Sequence, residues 1–143
     1  MLHGMRNVTP AIVEEMEKSE FDFYLTGARF FGSATEESNW EFFAQNSTEI
    51  TEWLEKHSIV KEDTVCILTN DVLEVKHMVG VVEVHNKITR VFIHLVDNLK
   101  KKILVQNRLF NVYGKLMPTD PDILQMVWKT AYGFYNDDGY MED

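Results

Sequence analysis

An α/β (α+β) fold is what the sequence predicts, on three observations. Stretches with helical apolar spacing alternate along the chain with short β-rich runs. Hydrophobic residues make up 45% and aromatic residues 12% of the 143, enough for a buried core. Neither internal repeats nor Gly/Ser/Pro-rich linkers interrupt the pattern, so residues 1–135 read as one domain and the acidic end, 136–143, as a short flexible tail.

Each element has a local reason. Thr9-Pro10 opens a first helix, with Thr9 as N-cap, Pro10 at the first helical position and Ile12, Val13 and Met16 on one face. Phe21–Leu25 and Trp40–Phe43 read as strands. Asn46-Ser-Thr-Glu49 has capping-box spacing and introduces a helix to about His57, whose apolar stripe is Ile50, Trp53 and Leu54. Thr64–Leu68 is a buried-type strand. Val79–Val84 and Ile88–Val96 form a hairpin around His85-Asn86-Lys87. A helix from about Asp97 to Tyr113 presents Leu99, Ile103, Leu109, Phe110 and Tyr113 to the core. Asp120-Pro121 starts the last helix, with Ile123, Met126, Val127, Thr130 and Ala131 inward. The three tryptophans fall in these elements and read as core.

Composition excludes several functions. Fourteen basic against twenty-three acidic residues leave a net charge of −9, which repels nucleic acid. The basic cluster Lys100–Lys102 reads as a solvated helix face. The single cysteine, Cys66, lies in an apolar run and reads as a small buried hydrophobe, which fits a reducing, cytoplasmic setting. No segment resembles a signal peptide or reaches membrane-spanning length, so no membrane association is expected. No Walker loop, dinucleotide glycine pattern or Ser/His/Asp constellation occurs. His85 and His94 could meet across the hairpin, but two histidines make a poor metal site, and His94 reads as a hydrogen-bonded structural histidine.

The most informative stretch is Thr26-Gly27-Ala28-Arg29-Phe30-Phe31-Gly32, followed by Glu36-Glu37-Ser38 and Asn39-Trp40-Glu41-Phe42-Phe43. A strand enters a Gly-bounded turn, and the next strand carries polar groups at Asn39 and Glu41, which share a face at i and i+2. A later run, Val91-Phe92-Ile93-His94-Leu95-Val96, completes the pattern. This frame resembles the nucleotidyltransferase-fold superfamily, in particular its small single-domain members with a Gly-Ser turn followed by paired aspartates. The resemblance spans about the whole chain. It implies a mixed β-sheet flanked by helices, and it leans towards a bacteriophage gene product.

The resemblance also shows what has changed. The family's activity rests on three carboxylates that hold metal against a triphosphate gripped by the Gly-Ser turn. Here the serine position is Ala28, the first aspartate is Asn39, the second is Glu41 and the third is Phe92. One carboxylate of three is too little concentrated charge for metal-assisted phosphoryl transfer. The remnant positions Asn39, Glu41 and Phe92 are therefore expected to be non-catalytic, with no metal or cofactor bound. The expected function is binding, as an inhibitor or regulator of a protein partner, and the aromatic segment Phe30, Phe31, Trp40, Phe42 and Phe43 is a candidate surface for it.

Two alternatives remain open. In a surviving metal-dependent nucleotidyltransferase, Glu41, together with Asn39, would hold magnesium beside a nucleoside triphosphate, and the nucleotide would pass to a protein or small acceptor. In a nucleotide sensor, Gly27, Ala28, Arg29 and Gly32 would bind the nucleotide without turnover. Arg29 could meet a phosphate bidentately, although an ion pair with Glu36 or Glu37 is the favoured reading.

Overall fold

The computed structural model describes residues 9–61, 76–84 and 87–136. In chain order the elements are α1 (Ala11–Lys18), β1 (Tyr24–Thr26), α2 (Gly27–Phe31), β2 (Trp40–Gln45), α3 (Thr48–Lys56), β3 (Val60–Lys61), β4 (Lys76–Val84), β5 (Lys87–Val96), α4 (Leu99–Tyr113), a 3₁₀ turn (Gly114–Leu116) and α5 (Pro121–Tyr132). The strands pair in the order β1-β2-β5-β4-β3. The β2/β5 pair is parallel, and the β1/β2, β4/β5 and β3/β4 pairs are antiparallel, so the sheet is mixed. The expected strand Thr64–Leu68, Cys66 and the tail beyond Asn136 lie outside the described residues.

Strand alternation divides the core in two. Phe42, Ala44, Val91, Ile93 and Leu95 point to one face, where Val13 and Met16 of α1 and Ile50 and Leu54 of α3 cover them. Phe43 and Val96 point to the other, beneath Phe31 of α2, Val105 and Leu109 of α4, and Trp128 and Ala131 of α5. A large aliphatic side chain buried as completely as Leu54 or Ile93 contributes about 1.5–3 kcal/mol.

Several boundaries differ from the sequence expectation. Pro10 has an extended ψ of 146° and stands before α1, not inside it. Ser47, not Asn46, caps α3, its side chain accepting the Ile50 amide. β1 runs Tyr24–Thr26 rather than Phe21–Leu25, and the Phe21 and Phe23 rings just ahead of it pack against Trp53. β5 starts at Lys87 rather than Ile88, and residues 85–86 of the expected turn lie outside the described residues. The register pairs His94 with His77, and His85, expected to approach His94, lies outside the described residues.

The two C-terminal helices are rotated from the expected orientation. On α4 the buried stripe is Lys101, Lys102, Val105, Gln106 and Leu109, while Phe110 is exposed. The expected solvated lysine face is thus wrong for two of its three members: Lys101 and Lys102 are only 6% and 1% exposed. Their apolar stems pack inward, and each ammonium lies 4.0 Å from the centre of the Tyr132 ring on α5. On α5 the broad indole of Trp128 turns in against Phe43, leaving Ile123 and Met126 51% and 68% exposed. Thr130 is likewise exposed, while Val127 and Ala131 keep their inward place.

Candidate functional site

The junction of β1, α2 and β2 builds the site. Gly27 has φ +72°, and a Cβ there would collide with the Glu41 carboxylate, so glycine lets the β2 side chain lie against the backbone. The expected Gly-bounded turn is a single helical turn, closed by Gly32 at φ +90°. The amides of Gly32 and Ser33 both donate to the Ala28 carbonyl, a helix C-terminal closure that favours glycine.

Arg29 points away from this junction. Its Nη2 donates to the carbonyls of Glu36 (3.2 Å) and Ser38 (2.7 Å), and its guanidinium lies 4.2 Å over the Trp40 ring. Burial draws its pKa below the usual guanidinium value. The guanidinium thus holds the loop of residues 36–38 by its backbone carbonyls, and Arg29 is not among the described residues that line the cleft.

The three positions singled out by the resemblance, Asn39, Glu41 and Phe92, separate. Asn39 is exposed just before β2, and its Oδ1 accepts the Arg90 amide at 3.3 Å, tying the strand entrance to β5. It does not join Glu41 around a common ligand. Glu41 is paired in register with Thr26 on one side and Phe92 on the other. Phe92 stacks near-parallel with His94, centroids 6.4 Å apart, and stands outside the cleft rather than filling it.

What does meet Glu41 is His94. Its Nε2 lies 3.2 Å from Glu41 Oε1, with the histidine side chain 5% and the glutamate 26% exposed. His94 follows Phe92 by two residues and so shares its face, a signal the sequence carried without naming the partner. Above this pair opens a cleft of about 220 Å³, walled by Phe31, Phe43, Met117 and Trp128. Thr26, Gly27 and Ala28 also line it, whereas Arg29 and Gly32 do not. Behind it, Gln106 of α4 accepts the Thr26 hydroxyl and donates to the Leu25 carbonyl at 2.9 Å, fastening the edge strand to the helix.

These residues do not fit a magnesium–triphosphate site. Magnesium takes near-octahedral oxygen donors, and here one carboxylate faces an imidazole and aromatic rings. Among the described residues, no group of three or more His, Cys, Asp or Glu side chains is placed to hold a metal. No helix among them is long and apolar enough to cross a membrane.

The aromatic segment considered as a partner surface is mostly interior: Phe31, Phe42 and Phe43 are buried, and Phe30 and Trp40 are half-buried. Exposed apolar side chains gather instead on the outer side of α4 and α5, where Val112, Ile123, Met126 and Phe134 line a shallow groove beside Arg108.

Fold and site together define a mixed α/β protein with a one-carboxylate aromatic cleft at the first β–α–β junction. Comparison with protein-family models, with curated proteins and with solved structures finds no match.

Proposed function

We propose that this chain is a catalytically degenerate nucleotidyltransferase-like protein that acts by binding, as an inhibitor or regulator of a protein partner. The carrying observation is the state of Glu41. It is the one carboxylate left at the three remnant positions, it is hydrogen-bonded to His94 and pressed against Gly27, and Phe92 is its register neighbour. Such a group can orient a ligand, but it cannot gather the negative charge that a metal-held triphosphate requires. The exposed α4–α5 groove supports the binding role, since grouped apolar side chains on an acidic chain mark an interaction surface. A phage protein acting on a host factor in the cytoplasm is the setting that the sequence resemblance suggests.

Two measurements test this reading. Incubation with labelled nucleoside triphosphates and magnesium should give no transfer of label; transfer abolished by Glu41→Gln would overturn it. A partner captured by the intact protein should be released by Ile123→Glu or Met126→Glu, exposed changes expected to shift stability by no more than about 0.5 kcal/mol. Capture unchanged by both would remove the groove from the proposal.

A further inference from the structure

The cleft's chemistry is opposite in sign to a phosphate cradle. Among the described residues its lining contains neither lysine nor arginine, and the nearby Arg29 is committed to two carbonyls and the Trp40 face. What the lining offers is one carboxylate and an aromatic corner. The Phe43 and Trp128 rings meet at 79° with centroids 5.8 Å apart, and Phe31 also borders the space. Glu41 remains a quarter exposed, with His94 as its hydrogen-bond partner. A carboxylate accepts about four hydrogen bonds, so it has capacity left for a donor. Aromatic faces attract cations through the ring quadrupole, and a carboxylate beside them adds an ion pair and a hydrogen bond.

We infer that this cleft binds a small organic cation with an aromatic body, of the arylalkylamine class, its ammonium on Glu41 and its ring against Phe31, Phe43 and Trp128. The size agrees. An apolar cavity of about 150 Å³ holds benzene. The space here, about 220 Å³, takes a ring with a short amine arm. The polarity agrees as well, because among the described residues Glu41 is the one carboxylate lining an otherwise largely aromatic and aliphatic wall. This assignment is independent of the partner-binding reading: it concerns the cleft, and that reading's capture test concerns the opposite side of the helix layer.

The test is a charge series on the full-length protein with one ring held constant: 2-phenylethylammonium, 2-phenylethanol and 3-phenylpropionate, with ATP as an anionic control. Binding is read by calorimetry, and located by chemical-shift changes at Glu41, His94 and the Trp128 indole. The ammonium compound should bind with a dissociation constant on the order of 1 mM or lower. The alcohol should be about tenfold weaker, and the carboxylate and ATP weaker still. In Glu41→Gln, with the fold checked by circular dichroism, the ammonium should lose about tenfold and fall level with the alcohol. Equal binding across the series, preference for the anions, shifts located elsewhere, or no binding of the ammonium compound would each overturn the assignment. So would an ammonium preference that survives Glu41→Gln. Because the charge series uses the unmodified chain, a misfolded variant does not spare the proposal.

Discussion

The two faces of the one sheet are built on different rules. Beneath α1 and α3, sequence-local stripes supply the apolar cluster: Val13 and Met16, Ile50 and Leu54, Val91, Ile93 and Leu95. Among the described residues the one buried polar side chain of that strand parity is Thr89, whose hydroxyl donates to the Ser38 carbonyl. Beneath α2, α4 and α5, Phe43, Val105 and Trp128 are interleaved with buried polar groups: Thr26, His94, Lys101, Lys102 and Gln106. Among the described residues, the first face stabilises mainly by buried apolar area. Groups on the second must also meet hydrogen-bond and cation–π partners, and they leave a cleft open at Glu41. One face holds the fold while the other, which tolerates a cleft and buried polar groups, carries the site.

The comparison breaks most readily on the apolar face. Leu54→Ala removes a fully buried side chain from the apolar cluster under α1 and α3 and should cost about 2–5 kcal/mol in denaturant unfolding. A cost below about 1 kcal/mol would mean that this face does not bear the fold. A smaller loss is expected from Gln106→Leu on the other face. The leucine roughly keeps the volume, but it leaves the Thr26 hydroxyl and the Leu25 carbonyl without their partner, at about 1–3 kcal/mol. A neutral result would show that water replaces the amide and that the polar face is less ordered than its hydrogen bonds indicate.

The same contrast explains what could be read from the chain. On the apolar face, periods of 3.6 and 2 name the buried residues directly, so α1, α3 and the β5 alternation were legible to within a residue or two. On the polar face the rule that polar means outside misplaces α4, because Lys101 and Lys102 bury their stems and find Tyr132 on a different helix. Glu41 and Phe92 were linked only by the family resemblance, because parity within one strand says nothing of the register between two; the register places them opposite one another. Asn39 has the same parity as Glu41 but precedes the strand, where the Arg90 amide claims its side chain. Met117 and Trp128 reach the cleft from elements far along the chain, and no local pattern announces such a contact.

The smallest expected effect is also the most discriminating. Glu41→Gln keeps the length of the side chain and its fit against Gly27, and the amide can still hydrogen-bond His94 Nε2 in either tautomer. Hydrogen bonds to charged groups contribute about 1.5–3 kcal/mol and neutral ones about 0.5–1.5. Partial exposure of Glu41 places its pair at the low end of the first range, so unfolding free energy should fall by less than about 1 kcal/mol. A loss of 3 kcal/mol or more, about what breaking a buried ion pair costs, would make Glu41–His94 a structural pair. The polar face would then be a second stabilising core, and the carboxylate would have no claim to a ligand. A small loss leaves the carboxylate kept in the cleft for a reason other than stability, which is what separates this face from the one behind it.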